Sequence, residues 1–278
     1  MAEPRLNAAG EPVVLVETHD AGRIHVITLN RPERLNAIGG GLNEALYDAF
    51  TRFRDDLAAR VAILTGAGDR AFCAGMDLKD SADRMAAIER GEQSGPLIPQ
   101  ATKSIAPLSE GLGLWKPTIA AINGYAIAGG FNLAMQCDIR IAAEHARIGI
   151  AEARWNRKGA GWMAPLTRQI GLGNALQLVL WGDTQWTAQR AYEAGWVQEV
   201  VPRERLMETA MSYARRAVDM APRSVRNIKE TMYRAYYMTP EVAQAFGRAI
   251  EENIEGMQDT IEGARAFAEK RRPNYTDS

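Results

Sequence analysis

Two segments of the chain carry the groups best suited to hold a developing negative charge. In the first, the apolar run Thr118 to Ile122 precedes the Gly129-Gly130 pair, and the apolar residues 131–136 follow. This order predicts a buried strand, a glycine-rich turn and a helix. The first N–H groups of a helix have no internal partners, and glycine lets a ligand come close. The turn could therefore bind an oxyanion, or it could be an ordinary strand-to-helix corner.

A second segment repeats this arrangement. Val61 to Leu64 predicts another buried strand, a Gly/Asp turn follows it, and the small residues Cys73, Ala74 and Gly75 come next. Two such corners could direct two backbone N–H groups at one point.

Five motifs resemble the crotonase, or enoyl-CoA hydratase/isomerase, superfamily. In the order of that family they are LNRPERLNAI (29–38), AFCAGMDL (71–78), INGYAIAGG with the helix and CD after it (122–138), TAQRAYEAGWVQEVVP (187–202) and DTIEGARAFAEKRRPNY (259–275). Each motif alone is weak evidence for the family, whereas the five motifs in this order are highly specific to it. The resemblance implies an enzyme that acts on an acyl-CoA thioester. It also implies a spiral of repeated ββα units with a C-terminal helical region.

Hydrophobic periodicity predicts an α/β chain up to a boundary near residue 203, and only helices beyond it. We therefore predict a mobile tail at 1–11, a core with the acyl-CoA site at 12–203, and a helical region at 204–278. No G-x-G-x-x-G follows a strand, which argues against a dinucleotide-binding fold. The resemblance implies that the helical region packs between subunits, in a homotrimer or a dimer of trimers.

Composition argues against several other classes of protein. The 278 residues are 46% hydrophobic and 24% charged, as in a soluble globular protein. The net charge is −1 and the arginines are scattered, so a nucleic-acid partner is not expected. No apolar run suits a membrane span, and the N-terminus lacks a targeting segment. Cys73 and Cys137 fit neither a disulfide framework nor zinc. We expect a cytoplasmic protein without a bound metal.

The resemblance assigns an oxyanion hole to the backbone N–H groups of Met76 and Gly129. They would hold the thioester oxygen while the neighbouring α-carbon becomes an enolate. The residues expected to contact the substrate or its coenzyme A moiety are Ala74, Gly75, Asp77, Leu78, Lys79, Gly130 and Trp155. Coenzyme A enters as part of the substrate, so no separate cofactor is expected.

The catalytic positions of the family match Glu152 and Asn132. Hydratases of the family carry a glutamate at both, but the first, three residues after Gly129, is Asn132 here. An amide cannot exchange a proton near neutral pH. We therefore predict Glu152 as the single acid/base, with a double-bond shift slightly favoured over hydration. The alternative for Glu152 is an ordinary surface carboxylate in a strand-to-loop turn.

The acyl group is not specified by the sequence. Trp155 and Trp162 are pocket candidates, residues 81–113 shape the pocket in the family, and the roles of Arg154, Arg157 and Lys158 stay open. Two other functions also stay open. One is a different crotonase reaction, such as hydrolysis, ring opening or decarboxylation, and the other is CoA-ester binding without catalysis.

Overall fold

The computed structural model describes residues 5–94 and 107–278, in which strands and helices alternate until the last strand. The strands are β1 Val14–His19, β2 Ile24–Leu29, β3 Val61–Gly66, β4 Ala71–Cys73, β5 Thr118–Ile122, β6 Tyr125–Ile127, β7 Ile139–Ala143, β8 Arg147–Gly149, β9 Gln185–Thr187 and β10 Glu199–Val201. The helices are α1 Leu42–Asp55, α2 Leu78–Glu89, α3 Gly129–Met135, α4 Ala160–Met163, α5 Leu166–Ile170, α6 Leu172–Val179, α7 Ala188–Glu193, α8 Leu206–Val218, α9 Pro222–Ala235, α10 Pro240–Glu251 and α11 Gln258–Ala268.

The strands form two sheets that the chain visits in turn. The larger sheet has the order β1-β2-β3-β5-β7-β10 and the smaller sheet has the order β4-β6-β8-β9. In the pairs β3/β4, β5/β6 and β7/β8, the first strand joins the larger sheet and the second joins the smaller one. Helices α2 and α3 follow β4 and β6, so the chain winds as a spiral of ββα units. This is the predicted fold class.

The inner strands of the larger sheet, β2, β3, β5 and β7, are buried on both faces, which is typical of parallel strands with helical cover. Successive strand residues point to opposite faces. Leu64 and Ala120 accordingly lie in one core cluster with Phe50 of α1. Ile63 and Ile119 lie in a second cluster with the α8 residues Leu206, Ala210 and Ala214. Helix α1 ends at Asp55, because Asp56 has extended backbone dihedrals.

Only helices follow β10, as the composition of the last part of the chain predicts. The first of them, α8, packs on the larger sheet and so belongs to its core. The division at 203 and 204 stays a prediction. None of the helices in the two described ranges is long and apolar enough to cross a membrane.

The described part of the predicted N-terminal tail lies against the core. Arg5 forms an ion pair of 2.6 Å with Glu44, and Asn7 Nδ2 donates to the Asn30 carbonyl at 3.0 Å. These contacts place Arg5 and Asn7 against the core, and the mobility of residues 1–11 stays a prediction. Residues 1–4 of that tail lie outside the described residues. Residues 95–106, part of the predicted acyl-pocket region, also lie outside them.

Candidate active site

Three turns meet at one edge of the smaller sheet. They follow the neighbouring strands β4, β6 and β8, and they carry Met76, Gly129 and Glu152. These three strands are parallel, with Cys73 paired to Ala126 and Ile127 paired to Gly149. Because the carboxyl ends of adjacent parallel strands lie at the same edge, the fold brings the predicted oxyanion-hole residues and the predicted base to one side.

The turns with the two predicted N–H donors are in direct contact. A Cβ atom added to Gly129 would lie 3.5 Å from the Cα of Gly75 and 3.7 Å from the backbone nitrogen of Met76. One added to Gly75 would lie 3.2 Å from the Gly129 nitrogen. Within the described residues, neither the Met76 nor the Gly129 N–H donates a hydrogen bond. Both donors therefore remain available at one place.

A short segment of the first resemblance motif holds the Met76 turn. The Ile38 N–H donates to the Gly75 carbonyl at 2.7 Å, and the Asp77 N–H donates to the Ile38 carbonyl at 2.9 Å. Ile38 and Met76 thus form an isolated parallel bridge. In a parallel pair, the residue between two such bonds points its own N–H away from the partner segment. The bridge therefore leaves the Met76 N–H free for a ligand.

A buried ion pair reinforces the same turn. The Asp77 carboxylate lies 3.2 Å from Arg31 Nη2, and both side chains are almost fully buried. Asp77 Oδ1 also accepts the N–H groups of Lys79 and Asp80, which caps α2. The Asp77 side chain thus positions the turn, and the contact of Asp77 with coenzyme A stays a prediction. Arg31 was not predicted, because nothing in its motif indicates a partner 46 residues away.

Two buried asparagines hold the loop that leads into the turn. Asn36 Nδ2 donates to the carbonyls of Ala67 and Ala71 at 3.0 and 2.8 Å. Asn123 exchanges hydrogen bonds with the backbone of Gly66, accepting at 3.1 Å and donating at 2.8 Å. Sequence reasoning missed both. Asn36 lies in the LNRPERLNAI motif and Asn123 in the INGYAIAGG motif. Their place in these motifs was the only signal for them in the sequence, and it does not indicate a structural role.

The second turn is strained in a way that exposes its N–H group. Ala128 has φ +54° and ψ −117°, a conformation that an L-residue rarely adopts and that is often found at functional sites. Its N–H donates to the Gly149 carbonyl at 2.9 Å, which leaves Gly129 as the first free amide of α3. A Cβ on Gly130 would collide with the Cys73 carbonyl. Gly130 therefore allows the close approach of α3 to β4.

Glu152 is a buried carboxyl group with an unpaired oxygen. The residue is 9% exposed, and its Oε2 has no hydrogen-bond partner in the described part of the chain. Burial raises the pKa of this carboxyl, while hydrogen bonds from its own backbone and that of Ala151 oppose the rise. The interpretation of Glu152 as an ordinary surface carboxylate is therefore wrong. A carboxyl with a raised pKa is better matched to proton transfer near neutral pH.

Asn132 lies one helical turn after Gly129 and is half-buried. Residues three apart share a face of a helix, so Asn132 follows the free amide on the same side of α3. Its Oδ1 accepts a hydrogen bond from Gln136 Nε2 at 2.9 Å. The site thus has one titratable carboxyl, Glu152, and one neutral amide at the two predicted catalytic positions.

The other residues predicted to contact the substrate lie around these turns and differ in how far they are exposed to solvent. Leu78 and Lys79 begin α2 and are exposed, and Ala74 is half-buried. Trp155 is 54% exposed and lines a cavity of about 190 Å³ beside the Glu152 turn. This cavity contains neither Met76 nor Gly129. Arg154 lies over the Trp155 ring at 5.4 Å. Arg157 is half-buried and Lys158 is exposed.

Trp162 is half-buried and lies near Glu152, since a Cβ added to Gly159 would meet Trp162 Nε1 at 3.0 Å and Glu152 Cγ at 3.1 Å. Its ring lies 6.3 Å from that of Phe131, which in turn stacks on Trp196 at 4.2 Å. The side chain packs against the main hydrophobic cluster.

Comparisons with known proteins find the same family over nearly the whole chain. The family model described as enoyl-CoA hydratase/isomerase matches residues 19–278. The chain is 33% identical to (E)-benzylidenesuccinyl-CoA hydratase of Thauera aromatica, covering 92% of this chain and 96% of that protein. It is 36% identical to carnitinyl-CoA dehydratase of Salmonella arizonae, covering 91% and 95%. The crystal structure of an enoyl-CoA hydratase from Mycobacterium tuberculosis is similar, with a TM-score of 0.81, 34% identity and coverage of 96% and 100%.

Proposed function

The chain belongs to the enoyl-CoA hydratase/isomerase family, and we propose that it acts on its acyl-CoA substrate through an enolate, with Glu152 as the single acid/base. One observation carries this proposal. The turns after the neighbouring strands β4, β6 and β8 place two unpaired N–H groups and a buried carboxyl at one edge of a sheet.

The two N–H groups would bind the thioester oxygen. As the α-carbon loses a proton, this oxygen gains negative charge, and donors already aimed at it need no reorganisation. Removing one such donor typically costs about 10²–10³ in rate. Since the donors are the backbone N–H groups of Met76 and Gly129, the methionine side chain does not affect this role.

Glu152 would then move the proton. In a double-bond shift, its carboxylate removes a proton from C2 of a 3-enoyl thioester, and the C–H electrons become the enolate. The existing double bond moves from C3–C4 to C2–C3 as the protonated Glu152 returns the proton at C4. Asn132 supports this outcome, because the reaction needs only one group that exchanges protons.

Addition or removal of water is the second candidate. Glu152 would take a proton from water as the water oxygen bonds to the β-carbon, and it would return this proton to the α-carbon. The relatives named above include a hydratase and a dehydratase. The neutral Asn132 amide could hold the water oxygen but could not share the proton transfer.

We extend the proposal to binding and assembly. The coenzyme A moiety would lie along the backbone from Ala74 to Lys79, with the exposed Lys79 ammonium near its phosphates. No cofactor beyond this coenzyme A is required by the proposed steps. The homotrimer or dimer of trimers and the cytoplasmic location stay predictions.

Turnover of 2-enoyl-CoA and 3-enoyl-CoA esters tests the proposal. Mass spectrometry separates the outcomes, because isomerisation leaves the mass unchanged, hydration adds one water, and hydrolysis releases free coenzyme A. We expect Glu152→Gln to lower turnover by about 10²–10⁴. Glu144→Gln is the matched control, since Glu144 is exposed in the same part of the chain. Undiminished turnover by Glu152→Gln would remove this carboxyl from the mechanism.

A further inference from the structure

A chain of three hydrogen-bonding groups fixes the orientation of the Asn132 amide. It begins at the backbone N–H of Leu108, which donates to Gln136 Oε1 at 3.2 Å. Gln136 Nε2 then donates to Asn132 Oδ1 at 2.9 Å. No other described residue bonds to the Asn132 side chain.

The backbone end of this chain removes the usual ambiguity of amide orientation. The two ends of an Asn or Gln amide look alike in shape, so their orientation follows from the hydrogen-bond network. A backbone N–H can only donate, so the group of Gln136 that faces Leu108 must be its oxygen. The Gln136 NH₂ group therefore faces Asn132, and it requires the Asn132 oxygen. The Asn132 NH₂ group is left without a partner in the described residues.

Helix geometry places these groups on the side of the free amide. Gly129, Asn132 and Gln136 are separated by three and four residues, so they follow one another along one face of α3 and its C-terminal end. Gln136 lies furthest from the oxyanion turn. It therefore acts on the site only through Asn132.

We infer that Gln136 is a positioning residue that makes Asn132 a hydrogen-bond donor, and that the site consequently prefers acyl groups with an acceptor oxygen on the β-carbon. This inference rests on the proposed function, which puts the acyl group beside Asn132. Of the two candidate reactions it favours the addition or removal of water, because a 3-enoyl group carries no oxygen on its β-carbon. An oxo, hydroxyl or water oxygen offers a lone pair to the Asn132 NH₂ group. A β-carbon without an oxygen leaves that NH₂ group unpaired.

Two stable ligands that differ only at the β-carbon test this. They are 3-oxobutanoyl-CoA, which has a β-oxygen without a proton, and butanoyl-CoA, which has none. One neutral hydrogen bond is typically worth about fivefold in affinity, so we expect wild-type protein to bind the oxo ester about fivefold more tightly in calorimetric titration.

Gln136→Glu should reverse this preference. A glutamate still accepts the Leu108 N–H, but it cannot donate to Asn132, so the Asn132 amide turns its NH₂ group to the new carboxylate. Its oxygen then faces the β-oxygen, and the oxo ester should bind more weakly than butanoyl-CoA. Gln136→Met, which keeps the length without either hydrogen bond, should lower the preference to about twofold. Affinity for butanoyl-CoA should stay unchanged in both variants, as evidence of an intact site.

The effect must pass through Asn132. In an Asn132→Ala background, Gln136→Glu should no longer alter the ratio of the two affinities. An unchanged ratio in both Gln136 variants, or an equal effect in the Asn132→Ala background, would overturn the inference. If the wild-type protein binds both esters equally but its turnover depends on Glu152, the inference is overturned and the proposed function stands. Binding of neither ester would overturn the proposed function with it.

Discussion

At the residue scale, burial gives Glu152 its chemical character. A carboxyl that is 9% exposed and has one unpaired oxygen loses hydration in its charged form, which raises its pKa. The same burial makes the charged form unfavourable for folding. The burial that would suit Glu152 to proton transfer therefore lowers the stability of the fold, and this cost can be measured.

We predict that Glu152→Gln raises the melting temperature at about pH 8, with a gain that shrinks as the pH falls towards about 5. The pKa of Glu152 is raised in the folded protein. The stability from its protonated form is therefore complete below the unfolded-state pKa and is lost as pH rises through the folded-state value. Glutamine resembles the protonated form at every pH. Glu144→Gln, at an exposed position, should show no such pH-dependent gain. A gain that grows on acidification would contradict the raised pKa.

The two candidate catalytic positions could be predicted from the sequence at this scale, but their partners could not. Asn132 follows from its offset within the 122–138 motif, and Glu152 from the position that the family resemblance assigns. Arg31 and Gln136 do not, because their roles come from contacts. Arg31 meets Asp77 only once the chain has folded. The role of Gln136 depends on a backbone N–H of Leu108, 28 residues earlier.

At the scale of elements, the site depends on two turns that touch. Gly75 has φ +90°, and a Cβ there would lie 2.9 Å from both the Ala128 Cβ and the Ile127 carbonyl oxygen. The sequence indicated two similar strand-turn-helix corners. It could not specify their contact, because that contact depends on the pairing of β4 with β6 in the smaller sheet.

We predict that Gly75→Ala lowers kcat by about 10²–10³, since the added methyl group separates the two N–H donors. Gly195→Ala is the matched control. Gly195 has a similar φ of +80° but no atom within 4 Å of an added Cβ. Both variants carry a left-handed backbone strain of about 1–2 kcal/mol, so only the collision differs. Comparable kcat losses in both variants would show that the contact between the turns is unimportant.

The Arg31–Asp77 pair gives a second prediction for the first turn. Asp77→Ala should lower the free energy of unfolding by about 3 kcal/mol, because the buried Arg31 guanidinium loses its 3.2 Å partner and keeps only the Asp80 carboxylate at 3.9 Å and the Ala37 carbonyl. Asp55→Ala removes an exposed partner of Arg54 and should have little effect. Denaturant titration measures both. A loss for Asp77→Ala no larger than that for Asp55→Ala would mean that the ion pair does not stabilise the turn.

At the scale of the whole molecule, the described surface of one chain leaves large apolar side chains in water. On α9 and α10, Ile228 is 50%, Met232 is 67% and Val242 is 53% exposed. Apolar patches on a protein surface often mark interfaces. The sequence predicted the C-terminal helices and, through the resemblance, their place between subunits. It could not separate helix faces that pack within the chain from those left exposed.

We predict that the protein in solution has a mass of three or six chains of 30.5 kDa. Light scattering coupled to size exclusion measures this mass. Met232→Glu should shift the mass towards smaller species, because it introduces a charge on the exposed face of α9. Glu241→Lys, at the exposed start of α10, is the control for a change of charge alone. A monomer at all concentrations would contradict the prediction.

The central claim is that the N–H groups of Met76 and Gly129 together bind a thioester oxygen. A crystal structure of the protein with bound 3-oxobutanoyl-CoA tests this most directly. We expect the thioester oxygen at about 2.7–3.1 Å from both backbone nitrogens, on the side of the sheet edge that carries Glu152. A thioester oxygen that contacts neither nitrogen, or a ligand bound at another edge of the fold, would contradict it.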